Sequence, residues 1–210
     1  MDKTTTDTQN QMLDQIIASR RSIRDFTDEV PSRACVEAIL AAGLAGPFVK
    51  AAQGERTDYR RFVVLPKGSA ARTAVVALLR EKATAQIEVL RSQVPGNLLL
   101  QRLYEGIASG TLPGLAAAPY VIAVAERKGL PPGEALSIAP CLQNMWLKAT
   151  ALGLGFQIIS QIAMLGDEPR FWAQVGLPPD SYAVNGCAIG MPRALPSPIA
   201  RPKMEEAVIG

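Results

Sequence analysis

The segment Ser137–Gly155, SIAPCLQNMWLKATALGLG, decides how the chain is read. It is apolar nearly all the way round, with Leu142, Met145, Trp146, Ala149 and Leu152 dominating. A helix without a broad polar face belongs in the middle of a molecule rather than on its surface. Pro140 is compatible with that helix if Ser137 is the N-cap, because the opening turn has no use for the missing N–H. Gly153 follows the last periodic residues and predicts a C-cap, where glycine accepts a left-handed conformation. The GLGF stretch, Gly153–Phe156, is not a dinucleotide fingerprint, since it follows a helix and lacks the third glycine.

Working outward, three short β-branched runs read as core strands: RFVVL (Arg61–Leu65), APYVIAVAE (Ala118–Glu126) and SYAVNGCAIG (Ser181–Gly190). Helical periodicity recurs over residues 9–19, with Met12, Leu13, Ile16 and Ile17 on one face. It recurs over 32–44, with Ser32 as N-cap and Val36, Ile39, Leu40 and Leu44 on one face. A longer, charge-bearing helix is expected from Ser69 to about Ser92, stopped by Pro95 and Gly96, and another from Asn97 to Ala108. Carboxylates in 81–88 and in GDE (Gly166–Glu168) read as solvated faces and helix starts. Arg56, Asp58, Arg60 and Arg61 make a strongly charged loop, either solvated or in contact with a substrate or cofactor.

Helices and strands follow in unequal, mixed order, which favours an α+β fold over a regularly alternating α/β sheet. The 210 residues suit one domain, 1–210. Residues 1–8 are polar and expected to be disordered, and the proline-rich stretch 191–210 is expected to be an extended arm.

Composition narrows the chemistry. A net charge of +3 gives no reason to expect nucleic acid as a partner. No apolar leader or membrane-length run is visible, and three widely spaced cysteines suit reduced thiols, so a cytoplasmic protein is expected. The chain contains no histidine, which removes Ser–His and Cys–His dyads, histidine general bases and histidine-ligated zinc. Chemistry carried by a cofactor is the natural alternative.

One other cluster stands out. SRRSIRDF, Ser19–Phe26, offers the guanidinium groups of Arg20, Arg21 and Arg24 together with the Ser22 hydroxyl. These donors can surround a phosphate dianion. The same arginines would also complement the negative end of the preceding helix. The residues alone leave both readings open.

Taken with VPSRACVEAILAAGLAGP, APYVIAVAE, PCLQNMWLKATALGLGF and IGMPRALPSPIARPKMEEAV in this order, SRRSIRDF makes nearly the whole chain resemble the nitroreductase family of FMN-dependent oxidoreductases. The resemblance implies a central, mostly antiparallel sheet flanked by helices. It also implies an intertwined homodimer with a flavin at the subunit boundary and a C-terminal arm wrapping the partner. It assigns the FMN phosphate and ribityl chain to Arg20, Arg21, Ser22 and Arg24, helped by Arg201. Ile158, Ile159 and Ser160 would lie against the flavin ring with their backbone. NAD(P)H would deliver hydride to the flavin, and a small nitroaromatic, quinone or enone would take the electrons. The scaffold also admits a non-enzymatic flavin-binding or sensing protein, or an oxygen-using flavin enzyme.

The sequence departs from the family pattern at two places. Gln53 stands in a region that in many relatives carries an asparagine reaching the flavin. Phe156 stands where a small hydroxyl residue is usual, and is compatible with either the core or the substrate site.

Overall fold

Strands β1 (Arg60–Pro66), β2 (Tyr120–Arg127), β3 (Gly155–Ile158) and β4 (Tyr182–Gly190) form one antiparallel sheet in the order β1-β2-β4-β3. This computed structural model describes residues 3–112 and 114–198, with side chains from residue 6 onward. The two middle strands explain why the sequence shows unbroken apolar runs: both of their faces are covered. Along β2, Val121, Ala123 and Ala125 enter one core while Ile122 and Val124 enter the other. On the first face lie α4 (Ala70–Gln93), α5 (Leu98–Ser109), a 3-10 helix (Ser160–Leu165) and α7 (Pro169–Val175). On the second lie α2 (Arg33–Leu44) and α6 (Glu134–Ala151). The α+β architecture is therefore as expected.

Local signals placed several ends well. The Ser32 and Ser69 hydroxyls accept the Cys35 and Arg72 N–H groups, at 3.3 and 3.2 Å. Gly153 has φ +72°, just past α6. Glu168 caps α7 ahead of Pro169.

Four expectations are corrected. Helix α1 runs Lys3–Ser19, so residues 3–8, expected to be disordered, are helical from Lys3. Extending a helix already formed around Met12–Ile17 fixes one residue per hydrogen bond, far less costly than starting a new helix. Helix α6 begins at Glu134 rather than after Ser137, so Pro140 lies inside it. The carbonyl released by the proline belongs to Leu136, a residue 74% exposed, where water can serve it. Ser137 is instead a buried tie-point, its Oγ accepting the Val49 N–H at 3.1 Å.

The charged loop near residue 60 is the third correction. Arg60 is 3% exposed and pairs with fully buried Glu126 at 2.7 Å. Its Nη1 donates to the Gly43 and Gly46 carbonyls, at 2.7 and 3.0 Å. Its Nη2 donates to the carbonyls of Ser137 at 3.2 Å and Pro47 at 3.3 Å. One cation thus fastens the end of α2, the following loop and the start of α6 to the sheet. Asp58, in the same loop, accepts from Arg127 at 2.6 Å. The fourth correction adds a strand to the three expected runs: the stretch after GLG is β3, followed by the 3-10 helix.

Candidate functional site

Helix α1 ends at Ser19, and the chain then turns along the open edge of β3. The contact is backbone to backbone: Ser22 forms a parallel bridge with Phe156, and the Ile23 N–H donates to the Phe156 carbonyl at 3.0 Å. Gly155 permits this approach. A Cβ there would stand 2.7 Å from Ile23 Cγ2 and 2.9 Å from Ile23 Cβ, closer than carbon atoms can sit. Ile23 and Phe26 are buried beneath the turn, while Arg20, Arg21 and Ser22 stay partly accessible and Arg24 is exposed.

Of these, Arg20, Arg21 and Ser22 border a cleft of about 610 Å³ whose other lining residues are Asp14, Ile17, Ala18 and Pro198. Arg21 already performs the helix-end duty the sequence allowed. Its Nη1 donates to the Ala18 and Arg20 carbonyls at 2.7 and 2.9 Å. Those two bonds engage Nη1 alone. Arg20 lies with its guanidinium carbon 4.1 Å from the centre of the Trp146 ring. The donor set, two bordering guanidiniums and a hydroxyl, suits a phosphate; among the described residues Asp14 is the one acidic group on the rim.

A second cavity, of about 880 Å³, opens further along the same strand. It lies between the first half of α6 and the start of β4, with Ile138, Leu142, Ile158, Tyr182, Val184 and Asn185 among its lining residues. Ile158 is two residues beyond Phe156, about 7 Å along a strand. β3 therefore leads from the arginine turn to a mostly apolar hollow.

The sequence-derived residues divide clearly. Arg20, Arg21, Ser22 and Arg24 come together on the turn, and Ile158 and Ser160 are exposed at the end of β3. Ile159 has its side chain fully buried in the core, and its N–H donates to the Gly186 carbonyl at 2.8 Å, which anchors the chain just past β3. Ser160 opens the 3-10 helix, and the first N–H groups of a helix have no acceptor within it. Arg201 lies outside the described residues.

Phe156 belongs to the core: it is fully buried and stacks on Trp146 with ring centres 5.4 Å apart. Gln53 is also buried, its Nε2 donating to the Arg127 carbonyl at 2.6 Å. Sequence reasoning missed Trp146 as a neighbour of the arginine turn, because its apolar surroundings gave only a core signal.

The two buried thiols are not poised for nucleophilic chemistry. Burial pushes the Cys141 thiol up to about 11 and the Cys187 thiol well above its ordinary value. Among the described residues no cluster of three or more Cys, Asp or Glu side chains could hold a metal, and no helix is long and apolar enough to cross a membrane.

Comparison with known proteins bears on the family and the fold. The sequence model of the nitroreductase family matches residues 17–191. No curated protein matches the sequence. Among solved structures, a protein of Desulfovibrio desulfuricans in complex with FMN is 24% identical, with 93% of this chain and 97% of that one covered at a TM-score of 0.66. A nitroreductase with bound FMN from Desulfitobacterium hafniense DCB-2 is 21% identical, with coverages of 94% and 98% and a TM-score of 0.70. The FMN and NADPH-dependent nitroreductase NfnB of Sphigopyxis sp. strain HMH is 18% identical, with coverages of 91% and 95% and a TM-score of 0.63.

Proposed function

Because the chain belongs to the nitroreductase family, we propose that it is an FMN-dependent oxidoreductase drawing electrons from NAD(P)H and passing them to a small nitroaromatic, quinone or enone. The observation that carries this reading is the arginine turn set against β3. It puts phosphate-binding chemistry at one end of a strand and an apolar hollow at the other.

In this reading Arg20, Arg21, Ser22 and Arg24 hold the phosphate and ribityl chain, with Arg201 of the C-terminal arm assisting. Arg21 gives its unengaged N–H groups to the anion while Nη1 keeps the end of α1 capped. Ile158 offers an apolar surface to a planar ring, and the opening N–H groups of the 3-10 helix offer donors at its edge. Ile159 keeps that edge in place through its buried side chain and its bond to Gly186. Bound FMN supplies the electron transfer itself, which fits a chain without histidine.

The reading includes a homodimer. Met12, Leu13 and Ile17 of α1 and Leu44 of α2 are 58%, 49%, 40% and 52% exposed, large apolar side chains that a second subunit would cover. Residues 191–198 carry no helix and a single bridge, Pro192 with Phe26, and in this reading they begin the arm. Their first residues are fixed to the same chain, the Thr27 N–H donating to the Met191 carbonyl at 2.9 Å and the Arg193 N–H to the Asp25 carbonyl at 3.1 Å.

The test is anaerobic and spectroscopic. Purified protein reconstituted with FMN should be yellow, bleach with NADH or NADPH, and regain its colour on addition of a nitroaromatic or quinone. Protein that never takes up FMN overturns the reading, and FMN-loaded protein that neither nicotinamide bleaches removes the reductase activity from it.

A further inference from the structure

We propose that Trp146 is a positioning residue for the anion-binding turn, and that through it the cleft selects a flavin bearing a phosphate over one without. The inference rests on the reading of this cleft as the FMN phosphate seat.

Three contacts converge on the one indole. Its Nε1–H donates to the Arg21 carbonyl at 3.1 Å. One aromatic face carries the Arg20 guanidinium at 4.1 Å. The ring also stacks on Phe156, 20° from parallel, and Phe156 is the β3 residue whose carbonyl receives the Ile23 N–H. Trp146 is 7% exposed and sits on α6, far along the chain from the turn it holds.

Each contact has a directional consequence. A trans peptide points its carbonyl and its N–H to opposite sides. Fixing the Arg21 carbonyl on the indole therefore turns the Ser22 N–H away from it, and Ser22 lines the cleft. A guanidinium stacked on an aromatic face is stabilised by the ring and keeps its N–H groups in its own plane, where they can meet phosphate oxygens edge-on. Phe156 in turn supports the indole from the sheet. The stack Arg20–Trp146–Phe156 thus links the rigid centre of the fold to the two groups expected to recognise a dianion. Packing alone would need a bulky apolar residue at 146, but not a donor aimed at Arg21.

The test separates positioning from bulk. Flavin-free protein is titrated with FMN and with riboflavin, following flavin fluorescence, for the wild type, Trp146→Phe and Arg20→Lys. Trp146→Phe keeps an aromatic ring but loses the bond to Arg21, and Arg20→Lys keeps the charge but loses the planar stack. Both are expected to lower FMN affinity about tenfold, the equivalent of one hydrogen bond supporting a charged site, while riboflavin affinity changes by less than about threefold. FMN and riboflavin affinities that fall together, or that both stay unchanged, overturn the positioning role. If Trp146→Phe fails to fold, Phe156→Leu, which removes the ring supporting the indole and leaves both arginines in place, decides by the same ratio. A wild type that binds neither flavin, or binds both equally, overturns the phosphate seat itself.

Discussion

Replacing Arg60 by methionine removes a cation whose N–H groups all have acceptors. Nε and Nη2 reach Glu126 at 2.7 and 3.5 Å, while the two terminal nitrogens reach the carbonyls of Gly43, Gly46, Pro47 and Ser137 at 2.7 to 3.3 Å. Methionine fills much of the volume but leaves a carboxyl and these carbonyls without donors. Breaking a buried pair from one side costs about 3–5 kcal/mol. For a chain of this size that corresponds to a melting temperature lower by roughly 6–20 °C.

Urea denaturation should show the midpoint falling at constant m. The acid dependence gives a second readout. Burial raises the Glu126 carboxyl above its ordinary value and Arg60 pulls it back down, so in the variant it rises further. A carboxyl with a raised folded-state pKa contributes stability at low pH and loses it as pH climbs through that pKa. The penalty in Arg60→Met should therefore be largest at neutral pH and shrink on acidification. Adding Glu126→Gln to the first change should then cost little, because the carboxyl has already lost its counter-charge. A loss below about 1 kcal/mol, or two single changes that simply add, would refute the role of Arg60 as a buried hub.

Further outcomes follow from the same geometry. Arg20→Ala and Arg24→Ala are each expected to weaken FMN binding by about 1.5–3 kcal/mol in equilibrium titrations, and unchanged affinity in both would return them to helix-end duty. Gly155→Ala forces a Cβ to within 2.7 Å of Ile23 Cγ2. It should destabilise the fold by about 1–3 kcal/mol and loosen FMN as the turn is pushed off β3, whereas a variant with wild-type midpoint and affinity would show that the close approach is unnecessary. Arg170, hydrogen-bonded to Glu168, holds that carboxyl down at about 2 against an ordinary 4.5. Its contribution is thus present above the ordinary value and lost as pH falls toward about 2, so Glu168→Gln should flatten the acid limb of a stability–pH profile in that window.

Much of the fold was legible because its signals are local. The Ser32 and Ser69 caps, the Gly153 stop and the apolar runs of β1, β2 and β4 each depend on a few neighbouring residues. What escaped depends on partners distant in sequence. β3 is four residues long and carries buried Gln157 in its middle, so nothing in GFQI alternates strongly enough to declare a strand. Arg60 looks solvated in its own loop, and only Glu126 and the carbonyls of α2 and α6 make its burial possible. For the site, the arginine turn was visible as a charge cluster, but its orientation depends on Trp146, Phe156 and Gly155. Ile159, which the resemblance set against the flavin through its backbone, has its side chain in the core and its N–H on the Gly186 carbonyl, partners that lie far away in sequence.

The connection between β1 and β2 has a use of its own. The two strands pair along their length, Arg60 opposite Glu126 through Pro66 opposite Tyr120, yet residues 67–119 intervene and fold back on themselves as α4 and α5. The ends of this excursion are closed by the sheet whatever happens at its tip, and residues 91–99 at the tip are all exposed. Lengthening such an excursion is inexpensive, about 0.6 kcal/mol for each doubling of a flexible loop. The tip is therefore a port: a reporter domain or affinity handle spliced between Val94 and Asn97 would ride at the end of the hairpin, leaving the β1–β2 register, and the strand edge that carries the arginine turn, to fold as before.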